Sequence, residues 1–152
     1  MEEPKYFLLD IDGVLTDGKF LYSSEGKLMK SFGAHDNDGL KIIRDKLEIS
    51  FITSDKKGFD ISKKRIQDMG FELEYADELN KFGLVQKKFD FKKLIYMADG
   101  FYDIKILKSC FYSIAPNNAL TQTKEICNYV TQRNGGDGAV FEACLHIYDK
   151  FL

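Results

Sequence analysis

The chain lacks the features that mark several large protein classes. It has three cysteines, an odd number, and they stand far apart in apolar surroundings at Cys110, Cys127 and Cys144. Disulfide scaffolds are dense in cysteine and zinc sites show close cysteine pairs, so we interpret the three as buried free thiols. An excess of one charge is missing too, since 22 Lys and Arg stand against 24 Asp and Glu. This balance disfavours a general nucleic-acid binder.

Long apolar runs are also missing. No stretch of 18 uninterrupted apolar residues occurs, which argues against a transmembrane helix, and the opening Met-Glu-Glu-Pro-Lys does not resemble a secretory signal peptide. We find no linker, internal repeat or low-complexity tract. With 44% hydrophobic and 30% charged residues, the composition is typical of a globular protein. We predict one cytoplasmic domain over residues 1–152, with neither membrane nor nucleic acid as a partner.

Short apolar segments that end in polar turns dominate what is present. Strands are predicted at residues 6–9, 49–52, 94–97 and 111–114, and they resemble the strands of a buried parallel sheet. The first three are followed by Asp10-Ile11-Asp12-Gly13, Thr53-Ser54-Asp55 and Asp99-Gly100. Open parallel sheets bind ligands beyond the carboxyl ends of their strands. These three strand ends therefore predict one site.

Segments with helical periodicity alternate with the strands, and this alternation predicts an α/β fold. The predicted helices cover residues 38–46, 60–69, 80–88 and 139–150. The segment 19–32 differs, because the polar turn Ser23-Ser24-Glu25-Gly26 lies between apolar residues, which is typical of a β-hairpin. This hairpin would interrupt the first crossover and could cover the site. A further short strand is expected to start at Val130.

The strongest motif is Asp10-Ile11-Asp12-Gly13-Val14-Leu15-Thr16-Asp17-Gly18, directly after the first strand. Alternation along the chain directs the carboxylates of Asp10 and Asp12 past one strand end, and the glycines allow a tight loop. Two carboxylates this close repel each other, and a divalent cation between them makes the arrangement favourable. On the residues alone, an Asp-rich structural turn stays open as the alternative.

This stretch resembles the nucleophile loop of the haloacid dehalogenase (HAD) superfamily of phosphatases. It is most similar to the capless KDO-8-phosphate phosphatase subfamily, which is related to phosphatases and phosphatase-like domains of sialic-acid metabolism. The resemblance implies a three-layer Rossmann-like fold with a central parallel sheet and a hairpin after the first strand. It also implies that Asp10 is the nucleophile that forms an aspartyl-phosphate and that Asp12 is the general acid and base.

Further motifs follow in the order that the superfamily shows. Thr53 matches the hydroxyl residue that hydrogen-bonds the transferring phosphoryl group, with the backbone N–H of Ser54 as a second donor. Lys81 matches the lysine that balances the charge of the nucleophile and the phosphate. Without the resemblance, a threonine at a strand end is usually structural, and Lys81 would equally well be a solvated side chain.

An acidic motif, Ala98-Asp99-Gly100-Phe101-Tyr102-Asp103, matches the magnesium motif of the superfamily. The subfamily usually has Gly-Asp-Asp-x-x-Asp, but the two carboxylates four residues apart are retained. The resemblance implies Mg²⁺ as the cofactor, bound by Asp10, Asp12 and Asp99. Asp103 would orient the ion or its bound water from the outer shell.

The resemblance covers nearly the whole chain, and its departures bear on the substrate. The subfamily has arginines at the positions that Phe141, Asp55 and His35 occupy here. A guanidinium binds carboxylate or phosphate with two hydrogen bonds, so these changes remove contacts to an anion. Together with Ser54, the candidate substrate-binding residues are His35, Phe141 and Lys56, which with Lys57 could restore positive potential.

Two readings of the function follow. The first is a Mg²⁺-dependent phosphomonoesterase that acts on a small acidic sugar phosphate of the octulosonate or nonulosonate type. The second is a phosphatase-like assembly domain with weak or no turnover, which the lost arginines favour and the retained Asp10, Asp12 and Lys81 disfavour. A phosphate-receiving response regulator shares the α/β plan, but its phosphorylated aspartate normally follows the third strand rather than the first.

The resemblance also implies a homotetramer in which the hairpin meets neighbouring subunits. Phe20, Leu21 and Tyr22 would be costly to leave together in water, so residues 19–32 are expected to form the main contacts. Phe141 would then either approach a neighbour's pocket or pack its own helix onto the sheet.

Overall fold

Strands from the whole length of the chain meet in one parallel sheet. The structure is a computed structural model and describes residues 3–152. The strands of the sheet are β1 (Tyr6–Leu9), β4 (Glu48–Thr53), β5 (Leu73–Tyr75), β6 (Leu94–Met97), β7 (Tyr112–Ala115) and β8 (Tyr129–Val130). Their order is β5-β4-β1-β6-β7-β8, and every neighbouring pair is parallel. The predicted central parallel sheet is confirmed.

Helices cover both faces of the sheet. They are α1 (His35–Ile43), α2 (Phe59–Asp68), α3 (Lys81–Lys88), α4 (Ile104–Ser109), α5 (Thr121–Ile126) and α6 (Ala139–Phe151). Side chains alternate along β1, so Phe7 and Leu9 join one buried cluster with α1, α2 and α6, whereas Leu8 joins another with α3 and α4. This gives three layers, helix, sheet and helix, as the α/β prediction requires.

A two-stranded hairpin is inserted between β1 and α1. It consists of β2 (Leu21–Ser23) and β3 (Gly26–Met29), which pair antiparallel. The prediction of a hairpin is therefore confirmed. The side chains of Leu21, Tyr22, Leu28 and Met29 are more than half exposed in the single chain.

The strand order places a topological switch at the middle of the sheet. From β1 the chain passes to β4 and β5 on one side, and from β6 it passes to β7 and β8 on the other. The two connections leave in opposite directions, which opens a crevice at the carboxyl ends of β1 and β6. Asp10 follows β1 and Asp99 lies two residues beyond β6, so both reach this crevice.

Several boundaries differ from the prediction. Helix α1 runs over residues 35–43 instead of 38–46. Leu47, whose spacing suggested a longer helix, lies in the turn that leads into β4 and is buried there. Three elements were missed. Strand β5 has only three residues, α4 has six, and α5 is polar with Thr123 as its one buried residue.

The three cysteines are free thiols, as expected; Cys144 is buried and the other two are partly buried. Burial raises the pKa of Cys110 to about 12 and that of Cys127 to about 11, so both are protonated at neutral pH. None of the helices formed by residues 3–152 combines the length and the apolar character needed to cross a bilayer.

Candidate active site

A cavity of about 350 Å³ lies at the carboxyl ends of the central strands. Seven of the predicted site residues line it, namely Asp10, Asp12, Thr53, Ser54, Lys81, Asp99 and Asp103. They come from four places in the chain and meet because β1, β4 and β6 are neighbours in the sheet and α3 begins beside them. The three strand ends therefore form one site, as the sequence predicts.

The loop after β1 is held in a tight turn by its own residues. Gly13 has a φ of +82°, a conformation that favours glycine. The hydroxyl of Thr16 accepts hydrogen bonds from the backbone N–H groups of Gly13 at 3.1 Å and Gly18 at 3.2 Å. A Cβ on Gly13 would lie 1.8 Å from Oδ2 of Asp99, so glycine is needed here for the two strand ends to approach.

A second loop supports this turn from outside. The side chain of Asn118 donates to the carbonyl of Gly13 at 2.9 Å and accepts from the N–H of Gly135 at 2.6 Å. A Cβ on Gly135 would lie 2.2 Å from the same carbonyl oxygen. The Gly-rich segment before α6 thus packs backbone against backbone on the loop that follows Asp10. The sequence alone assigns no role to either segment.

Lys81 lies between two carboxylates at the start of α3. It is 3% exposed, and its Nζ lies 2.7 Å from Oδ1 of Asp103 and 3.4 Å from Oδ1 of Asp10. Burial alone would lower the pKa of Lys81, but the charges of Asp10 and Asp103 outweigh it and raise that pKa. Lys81 is therefore a permanent cation beside Asp10.

Three carboxylates, those of Asp10, Asp99 and Asp103, each offer an oxygen atom within 4.8 Å of the other two. Burial raises the pKa of Asp10 well above its usual value, against the charge of Lys81, and Asp103 and Asp99 raise it further. Burial and the charge of Asp103 raise the pKa of Asp99 to about 6. A bound divalent cation would relieve this repulsion, and three hard oxygen donors suit Mg²⁺.

The members of this carboxylate group differ from the set implied by the resemblance. Asp103, expected in the outer shell, belongs to the group, and the hydroxyl of buried Tyr96 donates to its Oδ1 at 2.6 Å. Asp12, which the resemblance implies as a third ligand, is outside this group of carboxylates, and its Oδ1 lies 2.8 Å from Nζ of Lys30.

The hairpin contributes two lysines that the sequence analysis did not single out. Nζ of Lys27 lies 2.7 Å from Oδ1 of Asp55, and Nζ of Lys30 lies 2.7 Å from Oδ2 of the same residue. Burial would raise the pKa of Asp55, but these two ammonium groups lower it. The cations beside Asp55 thus come from the hairpin and not from Lys56, which is exposed and does not line the cavity. The acidic residue at position 55 was the one sequence signal that pointed to these two cations.

Two other predicted substrate contacts lie away from the cavity of this chain. The rings of His35 and Phe141 are 6.4 Å apart, and Phe141 packs against Gly39, where α6 meets α1. Within the single chain, Phe141 therefore packs its own helix, but against α1 and not onto the sheet as one of the two alternatives states. The other alternative, contact with a neighbour's pocket, stays a prediction.

Aromatic side chains form the mouth of the cavity. Phe20 comes from the segment before β2, and Phe101 and Tyr102 come from the turn after β6. Nζ of Lys27 lies 3.5 Å from the centre of the Phe20 ring, a cation–π contact. Phe101 and Tyr102 are each about 60% exposed. These residues can contact the part of a substrate that extends out of the carboxylate group.

Comparison with known proteins is consistent with this geometry. The profile of the haloacid dehalogenase-like hydrolase family matches residues 41–143. The chain is 31% identical over 147 residues to 3-deoxy-D-manno-octulosonate 8-phosphate phosphatase of Haemophilus influenzae, which covers 93% of this chain and 81% of that protein.

Solved structures agree as well. The 3-deoxy-D-manno-octulosonate 8-phosphate phosphatase of Moraxella catarrhalis, solved with magnesium, phosphate and KDO, superposes with a TM-score of 0.84 at 28% identity, over 96% of this chain and 86% of that one. The cobalt-bound Haemophilus influenzae phosphatase gives 0.84 at 28% identity, over 97% and 88%.

Proposed function

Because the chain belongs to the haloacid dehalogenase-like hydrolases, we propose that it is a Mg²⁺-dependent phosphomonoesterase acting on a small acidic sugar phosphate. The candidate substrates are octulosonate 8-phosphates and nonulosonate 9-phosphates. The observation that carries the proposal is the position of Asp10, which lies at a strand end beside the cation Lys81 and with an oxygen atom within 4.8 Å of two further carboxylates, Asp99 and Asp103.

In the first step, Asp10 attacks the phosphorus atom and the ester bond to the sugar breaks. A carboxylate is nucleophilic without an activating base, so it has only to be ionised and aimed. The charge of Lys81 favours the ionised form of Asp10 and balances the negative charge of the phosphoryl group. The hydroxyl of Thr53 and the backbone N–H of Ser54 are the proposed donors to the phosphoryl oxygens.

Asp12 is the proposed acid and base. As the ester bond breaks, it gives a proton to the sugar oxygen. It then takes a proton from the water molecule that hydrolyses the aspartyl-phosphate. Its side chain lines the cavity but stays outside the group of three carboxylates, so the proposed metal ion does not occupy it.

Asp10, Asp99 and Asp103 would hold Mg²⁺. The ion would supply positive charge at the transferring phosphoryl group. The chain itself fixes two of these carboxylates. Lys81 and Tyr96 both donate to Oδ1 of Asp103, and Lys81 also donates to Asp10. These contacts limit how far the two carboxylates can turn before an ion binds.

The named activity of the two relatives supports an acidic sugar as the leaving group. We further propose a cytoplasmic homotetramer. The exposed apolar residues of the hairpin support the assembly, and the free thiols support a reducing compartment. Light scattering at micromolar concentration tests the assembly. A mass of one chain would contradict it, and Tyr22→Asp should lower the mass if the hairpin forms the contacts.

A magnesium-dependent screen of sugar phosphates tests the activity. Released phosphate is compared among the native chain, Asp10→Asn, and the matched control Asp45→Asn, which changes an exposed aspartate on another face. We expect release by the native chain and by Asp45→Asn, and a loss of several orders of magnitude in Asp10→Asn. Folded protein that releases phosphate from neither sugar phosphates nor 4-nitrophenyl phosphate would favour the phosphatase-like assembly domain instead.

A further inference from the structure

Lys30 is the most completely buried cation of the hairpin segment, and the proposed reaction leaves it without a role. It follows β3, and its side chain has no exposed surface. Nζ lies 2.8 Å from Oδ1 of Asp12 and 2.7 Å from Oδ2 of Asp55, and it donates to the hydroxyl of Ser62 at 2.7 Å. Two carboxylate oxygens and one hydroxyl oxygen therefore lie within 2.8 Å of the ammonium group.

This arrangement fixes the direction of Asp12. A buried ammonium that lies between two carboxylates and a hydroxyl has little room to move, so the carboxylate of Asp12 that faces it is held as well. Within residues 3–152, Lys30 is the only side chain that forms an ion pair with Asp12. Ser62 on α2 and Asp55 after β4 anchor Nζ from the side of the sheet. Through Lys30, α2 and the end of β4 thus orient Asp12, although neither has another role in the proposed proton transfer.

We propose that Lys30 is a positioning residue that aims Asp12 for proton transfer, an inference that rests on the proposed phosphatase function. In the first step, the oxygen of Asp10 bonds to phosphorus, the bond from phosphorus to the sugar oxygen breaks, and Asp12 gives its proton to that oxygen. In the second step, Asp12 takes a proton from water as the water oxygen bonds to phosphorus and phosphate leaves Asp10. Lys30 keeps its proton throughout.

The same contacts make the hairpin part of the reaction. Lys27, on β3, forms an ion pair with Asp55 and lies over the ring of Phe20. Lys27 and Lys30 thus join the hairpin to the site. Any movement that lifts the hairpin removes Lys30 from Asp12. The arrangement therefore couples the position of the hairpin to proton transfer and not to the nucleophile, which Lys81 holds separately.

Lys30→Met removes the ammonium and keeps most of the length of the side chain. The matched control is Lys41→Met, which changes an exposed lysine of α1. The readout is kcat/KM for an alkyl ester, KDO-8-phosphate, against 4-nitrophenyl phosphate, whose leaving group departs without a proton. We expect a loss of roughly 100-fold for the alkyl ester and less than about 10-fold for the nitrophenyl ester. Turnover, kcat, should fall for both, because hydrolysis of the aspartyl-phosphate also needs Asp12. Lys41→Met should match the native chain.

Two further variants keep the proposal testable if Lys30→Met folds poorly. Ser62→Ala removes one anchor of Nζ, and it should give the same leaving-group bias at a few-fold size. Lys30→Met added to Asp12→Asn should cost little beyond Asp12→Asn alone, because Lys30 acts through Asp12. Equal losses for both esters in Lys30→Met and Ser62→Ala would overturn the positioning role. A native chain without activity, or an active Asp10→Asn, would instead overturn the proposed function.

Discussion

Two buried lysines pair with aspartates that line the same cavity, and they are supported in different ways. Lys81 begins α3, whose next turn contributes Val85 to the core, and it bonds carboxylates that follow β1 and β6. Lys30 follows a hairpin whose apolar side chains are largely exposed, and it reaches the site through ion pairs. The comparison indicates that the surroundings of Asp10, the proposed nucleophile, are fixed by the sheet, whereas those of Asp12, the proposed acid and base, depend on the hairpin segment.

The largest expected effect is that of Lys81→Met. Because Lys81 contacts Asp10 itself, its loss should lower kcat/KM about 1,000-fold for alkyl and nitrophenyl esters alike. Steady-state kinetics with the two esters measures this. A larger loss of kcat/KM for the alkyl ester than for the nitrophenyl ester, as expected for Lys30→Met, would contradict these separate roles of the two lysines.

Magnesium should stabilise the sheet side of the site only. An ion that binds the folded chain at 100 times its dissociation constant adds about 2.7 kcal/mol, which is a rise in melting temperature of roughly 5–10 °C for a chain of this size. Thermal melting with and without Mg²⁺ should show the rise in the native chain and in Lys30→Met. It should be absent in Asp99→Asn and reduced in Asp103→Asn. An unchanged rise in Asp99→Asn would place the ion elsewhere.

The two regions should respond oppositely to pH in metal-free protein. Burial raises the pKa of Asp99 to about 6, so the folded chain holds a proton that the unfolded chain has lost. Stability from this group is present below about pH 4 and is lost, by roughly 2–3 kcal/mol, as pH rises to about 6. Asp36, with its pKa raised to about 7 by burial, adds to the same slope.

The pKa of Asp55 is lowered, so its contribution is present above about pH 4 and is lost in more acidic solution. Urea unfolding at several pH values measures both trends. Asp36→Asn should remove part of the loss of stability between pH 4 and 7. The remaining part, from Asp99, should disappear when Mg²⁺ is added. If the free energy of unfolding of the metal-free protein rises between pH 4 and 6, the raised pKa of Asp99 is contradicted.

The smallest effects are expected at two glycines with positive φ. Gly13→Ala adds backbone strain and a Cβ that lies 1.8 Å from Asp99, whereas Gly26→Ala, at the hairpin turn, adds strain with no atom within 4 Å. Each should lose about 1–3 kcal/mol of unfolding free energy. Only Gly13→Ala should also lower the affinity for Mg²⁺, which calorimetric titration measures. Equal affinity in both variants would separate the nucleophile loop from the metal group.

The sequence predicted the residues whose position follows from a strand. Asp10, Thr53 and Asp99 follow apolar runs that can only be buried strands, and parallel strands end at one edge. Lys27 and Lys30 could not be found in this way, because their partners lie 28 and 25 residues along the chain at Asp55, and the contact depends on how the hairpin folds back. The side-chain direction of Asp12 was missed for the same reason.

Short or polar elements escaped prediction because they carry too little apolar periodicity. Strand β5 extends an edge with three residues, none of which is fully buried, and α5 buries Thr123 alone. Both are fixed by tertiary contacts that a local pattern does not contain. The roles of the site residues themselves stay predictions until they are measured.

The strand order also constrains synthesis on the ribosome. β1 emerges first, but its partners β4 and β6 are centred some 40 and 90 residues later, and Asn118 and Gly135 come later still. Contacts of such long sequence separation form slowly, because a large loop must close before they stabilise anything. The nascent chain therefore carries the loop after Asp10 without its supporting contacts for most of translation. The site can be completed only once the segment that precedes α6 has left the exit tunnel.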